Sequence, residues 1–314
     1  MRRQITLIAL TAFAAQIAFG QSRPGAPATS ASTNDIGVLK VQGNVYMLVT
    51  PAGNIAAQIG GDGIVVVNTG EEALAARVAA ALKKLDVNGS DKPIQWIVNT
   101  DAAGNHIGGN VALPVASGLP KARQPRIVAQ ANVLNLLGGP LRAQLKVPEA
   151  LWPNDEYNTP TKDFAFNGEP VIVIHVPHAL SDGDSIVHFR RSDVLAVGDL
   201  FTPGLYPVIR PDRGGSIQGL LDGLNQILRI TVPLRYQEGG TYVIPGRGRL
   251  CDEADVVEYR NMVTIVRDRV LDMVKRNKTW DEVKAARLTR DYDVQYDPKS
   301  ADAFVEAIYK GLKK

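Results

Sequence analysis

The chemistry of this chain is concentrated in residues 99–110, N-T-D-A-A-G-N-H-I-G-G-N, where Asp101, Asn105 and His106 fall within one short loop. An imidazole close to a carboxylate can ligate a metal or act as a base that its acid orients. The loop follows an apolar run, Ile94–Val98, that reads as a buried strand, and it ends in a Gly-Gly-Asn turn. His175 and His188 fall within apolar strand patterns and read as satisfied strand residues. Cys251 is the only cysteine and stands at the expected start of a long helix, near Arg247 and Arg249. A helix N-terminus and nearby cations lower a thiol pKa, so one reading is a reactive thiolate. No histidine neighbours it in sequence, which favours the other reading, a packed and inert thiol.

Several elements must position these groups. Residues 38–49 read as a hairpin around Gly43-Asn44, and residues 56–60 and 64–68 as a second pair around Gly61-Asp62-Gly63. Residues 73–85 carry Leu74, Val78, Ala81, Leu82 and Leu85 at helical spacing. Further short strands are expected at 94–98, 127–129, 171–175, 186–189, 194–197 and 242–244, with Asp182-Gly183 making a turn between two of them. Helices are expected over 215–230 and 252–277. The second carries Met262, Val263, Val266, Val270, Met273 and Val274 as a core-facing stripe. Strands in hairpins, followed by strands alternating with helices, argue for an α/β fold with helices packed outside the sheets.

The N-terminus reads as an export signal over residues 1–20. Arg2 and Arg3 precede an apolar stretch at 5–17, and Ala18-Phe19-Gly20 supplies small residues for cleavage near Gly20. That stretch is shorter than the roughly 20 residues of a membrane span. The arginine pair only partly resembles a twin-arginine signal. A periplasmic or secreted protein is expected. Residues 21–35, rich in Ala, Ser, Thr and Pro, read as a flexible lead-in, which leaves 36–314 as one domain including its C-terminal helices. The formal charge is +3, and losing Arg2 and Arg3 with the signal leaves +1. No nucleic-acid partner is expected from so even a balance, nor any membrane span later in the chain. An exported chain with one cysteine has no internal disulfide and must rest on its core.

Five segments together resemble the metallo-β-lactamase superfamily, in the family's order. Val66-Val67-Asn68-Thr69-Gly70 is similar to V-D-T-G, and residues 100–109 to T-H-x-H-x-D-H-x-G-G. Ala179-Leu180-Ser181-Asp182-Gly183-Asp184 is similar to A-H-T-x-G-D, Gly198-Asp199-Leu200-Phe201 to G-D-x-x, and Pro245-Gly246-Arg247-Gly248 to P-G-H-G. The similarity runs from about Val38 to Gly248, and the tail around residues 279–286 also looks like exported single-domain members. The resemblance implies an αββα sandwich of two mixed sheets flanked by helices. It also implies a zinc-dependent hydrolase in which two zinc ions hold an attacking hydroxide.

By position, however, most of the implied ligands are replaced. One metal would take residues 101, 103 and 180, here Asp101, Ala103 and Leu180. The other would take 105, 106 and 247, here Asn105, His106 and Arg247. Arginine stays protonated and cannot ligate. The expectation is therefore a degenerate centre and a non-catalytic protein that binds a ligand or partner, with no cofactor. In this reading Arg247 enters the vacated space and pairs with Asp199, Asp101 or both. The alternative is a hydrolase with one divalent metal, Zn, Fe or Mn, on His106, Asp199 and Asp101, helped by the Asn105 amide oxygen. His178 is a substitute ligand only if its loop has slipped by two residues. Arg247, Tyr206 and Arg210, with Arg213 beside them, are the candidates to receive a small-molecule or anionic ligand.

Overall fold

The computed structural model describes residues 36–85, 93–120 and 124–313. The signal and lead-in expected over 1–35 lie outside these residues. Twelve strands form two sheets among them. The first sheet has seven strands in sequential order: β1 (Gly37–Gln42), β2 (Val45–Thr50), β3 (Gly53–Gly60), β4 (Gly63–Val67), β5 (Ile94–Val98), β6 (Arg126–Gln130) and β7 (Asp155–Tyr157). Its first four strands pair antiparallel and β4 to β7 pair parallel. The second sheet runs β12-β11-β10-β9-β8, from β8 (Thr161–Phe166), β9 (Glu169–His175), β10 (Ser185–Phe189), β11 (Val194–Ala196) and β12 (Tyr242–Ile244). It is antiparallel except for the parallel β11–β12 pair.

The helices are α1 (Ala75–Leu85), α2 (Gly104–Ile107), α3 (Ala112–Ala116), α4 (Ala131–Gly138), α5 (Arg142–Leu145), α6 (Ile217–Ile230), α7 (Glu253–Lys275), α8 (Trp280–Ala285) and α9 (Ala301–Leu312). The two long helices start where their caps are strongest. Ser216 caps α6 through the Gly219 amide, and Asp252 with Asp255 forms a capping box at α7. Strand β4 is apolar throughout because both of its faces are covered. Val65 and Val67 face the second sheet, where they pack in one core with Val171, Val173, Val187 and Phe189. Ile64 and Val66 face outward and pack with Val78 and Leu82 of α1. On the far side of the second sheet Ile174, Ile186 and Leu195 pack with α6, α7 and α9. The layers are therefore α, β, β and α, and no helix among the described residues is long and apolar enough to cross a membrane.

Two polar fastenings join the sheets at opposite ends. At one end the buried Glu169 carboxylate accepts from Gln58 Nε2 at 2.6 Å, from the Arg191 and Ser192 amides at 2.9 Å each, and from Ser192 Oγ at 2.7 Å. A buried carboxylate with that many donors is satisfied and structural. At the other end the Ser185 amide donates to the Thr100 carbonyl at 2.9 Å. The carboxyl ends of β4, β5, β11 and β12 open on this second end, the side of such sheets where ligand sites form.

Several short elements gave no signal beforehand: β7, β8, α3, α4 and α5. Strand β8 alternates exposed positions with half-buried Lys162 and Phe164 and buried Phe166, but as an edge strand it is too polar to stand out. Cys251 precedes the helix and bridges Val243 across an isolated β-bridge, with Asp252 as the cap proper.

Candidate functional site at the strand ends

The loop after β5 is held by polar groups of the chain itself. Asn68, at the end of β4, has φ 63°, a left-handed conformation that asparagine tolerates better than most residues. Its amide oxygen accepts from the Thr100 amide at 2.9 Å, and its Nδ2 donates to Thr100 Oγ1 at 3.0 Å. The carbonyl of His106 then accepts from the Thr69 amide at 2.8 Å and from Thr69 Oγ1 at 3.1 Å. Asn110 exchanges amide bonds with Asn99, which closes the loop at its far end. These bonds fix the backbone of His106 and with it the ring.

The His106 ring is buried between two carboxylates. Its Nδ1 donates to Asp101 Oδ1 at 2.7 Å, and its Nε2 faces Asp199 Oδ1 at 3.5 Å. Side-chain exposure is 2% for His106, 13% for Asp101 and 28% for Asp199, so the pair opens on the Asp199 side. His106 Nε2 and Asp199 Oδ1 are both buried and have no hydrogen-bond partner. Burial alone would push the imidazole down, but Asp101 and Asp199 outweigh it and hold its pKa well above 6.5. Burial would likewise raise Asp199, but His106, with Arg247 and Arg210 beyond it, holds that carboxyl below its usual range.

The loops from β11 and β12 meet around Asp199. Gly198 has φ 53° and lies against Thr100, where a Cβ would come within 2.5 Å of Thr100 Oγ1. Gly246 lies so close to Asp199 that a Cβ there would collide with Oδ1. Asn54 fastens this second loop, donating from Nδ2 to the Pro245 carbonyl at 2.9 Å and the Gly248 carbonyl at 3.0 Å.

The structure brings Asp101, His106 and Asp199 together as expected, with ligating atoms all within 4.8 Å of one another. It does not pair Arg247 with either aspartate. The Arg247 guanidinium reaches the Pro51 carbonyl at 3.4 Å and lines the pocket mouth. The reason is that His106 already stands between the two carboxylates, while Asn54 holds the Arg247 loop against β3. Asn105 turns its Nδ2 toward the Ala52 carbonyl at 3.3 Å. Tyr206 lines the pocket with its ring, but its hydroxyl lies 2.9 Å from Asp293 Oδ1 and 3.3 Å from the Thr289 carbonyl. It therefore fastens the C-terminal segment and has no hydroxyl free for a ligand.

Arg210 and Arg213 do line the pocket, together with Ala103 and Leu180. His178 stands apart, exposed, with Nδ1 3.0 Å from Asp182. His175 Nε2 donates to the Asp182 carbonyl at 2.9 Å, and His188 Nε2 lacks a partner, 3.9 Å from Asp193. Cys251 is buried, and that burial raises its thiol far above its ordinary value, in keeping with the packed reading.

Asp184 is a pocket residue without a role in the sequence pattern. It is 3% exposed, lines the same pocket and accepts from the Ser181 amide at 2.6 Å. Burial first, and the charge of Asp101 second, push its carboxyl well up. Its place at the end of A-L-S-D-G-D could have singled it out.

The family model for the metallo-β-lactamase superfamily matches residues 39–242, and the chain belongs to that superfamily. Among solved structures it is similar to the sec-alkylsulfatase Pisa1 from Pseudomonas sp., with a TM-score of 0.62 and 16% identity. That match covers 88% of this chain and 50% of the sulfatase, so the chain spans half of that protein's length. It is also similar to a metallo-β-lactamase from Pontibacter korlensis (TM-score 0.57, 14% identity, 73% of this chain and 99% of the other). A further match is the DIM-1 metallo-β-lactamase (TM-score 0.53, 16% identity, 73% and 97%). At these identities the likeness is one of fold. No curated protein matches the chain in sequence.

Proposed function

We propose that this chain is a ligand-binding member of the superfamily that receives an anionic small molecule where its relatives hold metal. The observation that carries the reading is a set of guanidinium groups that form no ion pair, although Asp199 and Asp101 act on them through space. Arg210 and Arg213 line the pocket, and among the described residues neither side chain has a hydrogen bond or ion pair; Arg247 has only the Pro51 carbonyl. Unpaired arginines around a cleft are suited to carboxylate, sulfate or phosphate, which they bind in a bidentate manner. The likeness to a sec-alkylsulfatase fits an oxyanion of that size. Arg210, Arg213 and Arg247 share the lining with Asp101, Asp184 and Asp199, and burial, which pushes the Asp184 carboxyl well up, favours an added anion there.

A dinuclear centre does not fit these residues. Ala103 and Leu180 offer no donor, and the Arg247 charge opposes a second cation. A second reading, one metal, rests on a specific observation. His106 Nε2 and Asp199 Oδ1 are orphaned and face each other at 3.5 Å. Two ligands of one tetrahedral zinc, each about 2.1 Å from it, stand about 3.4 Å apart. In that reading Asp101 orients His106 through Nδ1 from the outer shell. Such an ion would supply a Lewis acid, while the chain's own residues would bind and orient the anion.

One purification decides between the readings. Protein prepared without a metal-affinity tag is analysed for metal and titrated with sulfate, phosphate and acetate. The anion reading expects substoichiometric metal and binding that is lost in the double variant Arg210→Gln, Arg213→Gln. One metal per chain, lost in His106→Ala, favours the second reading, and no anion binding rejects the first. Export is part of the proposal, and a mature N-terminus at Gln21 in mass spectrometry of the exported protein is its test.

A further inference from the structure

We infer that the ligand is an amphiphilic anion, with its head on Arg210 and Arg213 and its chain along an apolar strip at the pocket mouth. This rests on the anion reading above and narrows it. Arg213 is the anchor. Its Nε is buried without an acceptor although the residue as a whole is half-buried, so one donor of a planar fork is already desolvated and unused. Burial and the adjacent Arg210 lower its pKa, a cost that an arriving oxyanion would relieve. The backbone holds the two arginines side by side. The Arg210 amide donates to the Leu180 carbonyl at 2.9 Å, and the Asp182 amide donates to the Arg213 carbonyl at 2.9 Å. The head-group platform is thus fastened to the loop before β10 and does not depend on a metal.

The same pocket also has apolar lining residues. Leu136 of α4, Leu180, Leu205 and Val208 all line it. Leu180 sits in a position from which the family would extend a histidine, and at 6% exposure it belongs to the core. Val208 is 51% exposed, and Leu136 and Leu205 are half-buried, so the lining presents hydrocarbon to solvent, and Val208 lies two and five residues from Arg210 and Arg213 on the chain. A small inorganic anion would leave that strip bare, whereas a ligand carrying an alkyl chain would cover it. Burial of a methylene gains roughly a factor of three to four in affinity when complete. On a half-open wall a seven-carbon chain is expected to gain on the order of tenfold to a hundredfold.

The test is calorimetric titration of the full chain with acetate, hexanoate, octanoate and octanol. Octanoate is expected to bind at least tenfold more tightly than acetate, hexanoate to fall between them, and octanol to bind far more weakly than octanoate. Val208→Asn, at an exposed position, should reduce the octanoate advantage severalfold and leave acetate unchanged. The double variant Arg210→Gln, Arg213→Gln should lose both carboxylates. Equal affinity for acetate and octanoate would overturn the amphiphile while the anion reading stood. Octanol binding as tightly as octanoate would overturn the role of the arginines, and no binding by any carboxylate would overturn both readings. An unchanged melting curve without ligand shows that each variant has folded.

Discussion

Replacing His106 tests whether an imidazolium does the electrostatic work that metal does elsewhere in the superfamily. In His106→Ala the carboxylates of Asp101 and Asp199 would face each other with ligating oxygens within 4.8 Å. At an effective dielectric of 20 that repulsion is about 3 kcal/mol. Removing one partner from a buried ion pair costs about 3–5 kcal/mol. Asp199 is 28% exposed, so water relieves part of this, and about 3 kcal/mol is expected. For a domain of this size that lowers the melting temperature by about 6–10 °C.

The sign of a second substitution separates charge from packing. Asp199→Asn should destabilise the parent, because it removes a partner of His106. It should stabilise His106→Ala, because it removes the repulsion. The pH dependence adds a third readout. The folded pKa of His106 is raised, so its contribution is fully present below about 6.5 and is lost as pH rises through the folded value. The deficit of His106→Ala should therefore shrink at alkaline pH. A metal ligand would behave oppositely, since ligation needs neutral imidazole. Denaturant melts of the three variants and the parent, with and without chelator, measure all of this. A cost below about 1 kcal/mol, with Asp199→Asn of the same sign in both backgrounds, would refute the bridging charge. A large drop in the parent's midpoint on chelation would instead show a resident metal.

Arg247→Ala should change stability by less than about 1 kcal/mol, because its guanidinium meets only a carbonyl at 3.4 Å; a cost of several kcal/mol in a thermal melt would mean a buried pair with Asp199. Gly246→Ala should cost roughly 1–3 kcal/mol and weaken anion binding, since its Cβ would strike Asp199 and the Gly198 backbone; parent-like melting and titration would contradict that packing. Cys251, 3% exposed and with its thiol pushed up by burial, should resist alkylation at pH 8 until denaturant unfolds the chain, and fast labelling of native protein would refute the packed assignment.

Much of the fold was legible because its central strands are covered on both faces. The continuous apolar run of β4 and the 3.6-residue stripe of α7 follow directly from burial in a layered sandwich. The short segments α3, α4 and α5 and the polar edge strand β8 carry too little periodicity to be recognised alone. At the site, the loop order identified Asp101, His106 and Asp199, whereas side-chain direction was not legible. Arg247 looked like the natural partner of the aspartates on charge alone. The deciding factor is a backbone one, the Asn54 bonds to the Pro245 and Gly248 carbonyls, and no charge pattern discloses it. The bond of the Tyr206 hydroxyl was not legible for a similar reason, since its partner Asp293 lies 87 residues away in sequence.

The loop after β5 also shows how the fold can hold its pocket without a metal's contribution to folding. In a small metal-dependent domain the ion supplies the folding energy, and loss of ligands unfolds the chain. Here the loop's geometry is held by Asn68, Thr69, Asn99 and Asn110, each bonded to backbone or to another amide, and by the apolar core between the sheets. Those bonds involve none of the positions at which Ala103, Leu180 and Arg247 stand. Substitution there removes donors and adds a cation without moving the backbone that frames the pocket. In the proposed reading the arginines of this lining, set beside Asp101, Asp184 and Asp199, take over the electrostatic part that the resemblance assigns to metal. An arginine-lined cleft on a rigid sheet edge is suited to binding an anion, and the orientation of any such ligand would follow from Arg210 and Arg213, because their loop is tied by backbone bonds to the segment before β10.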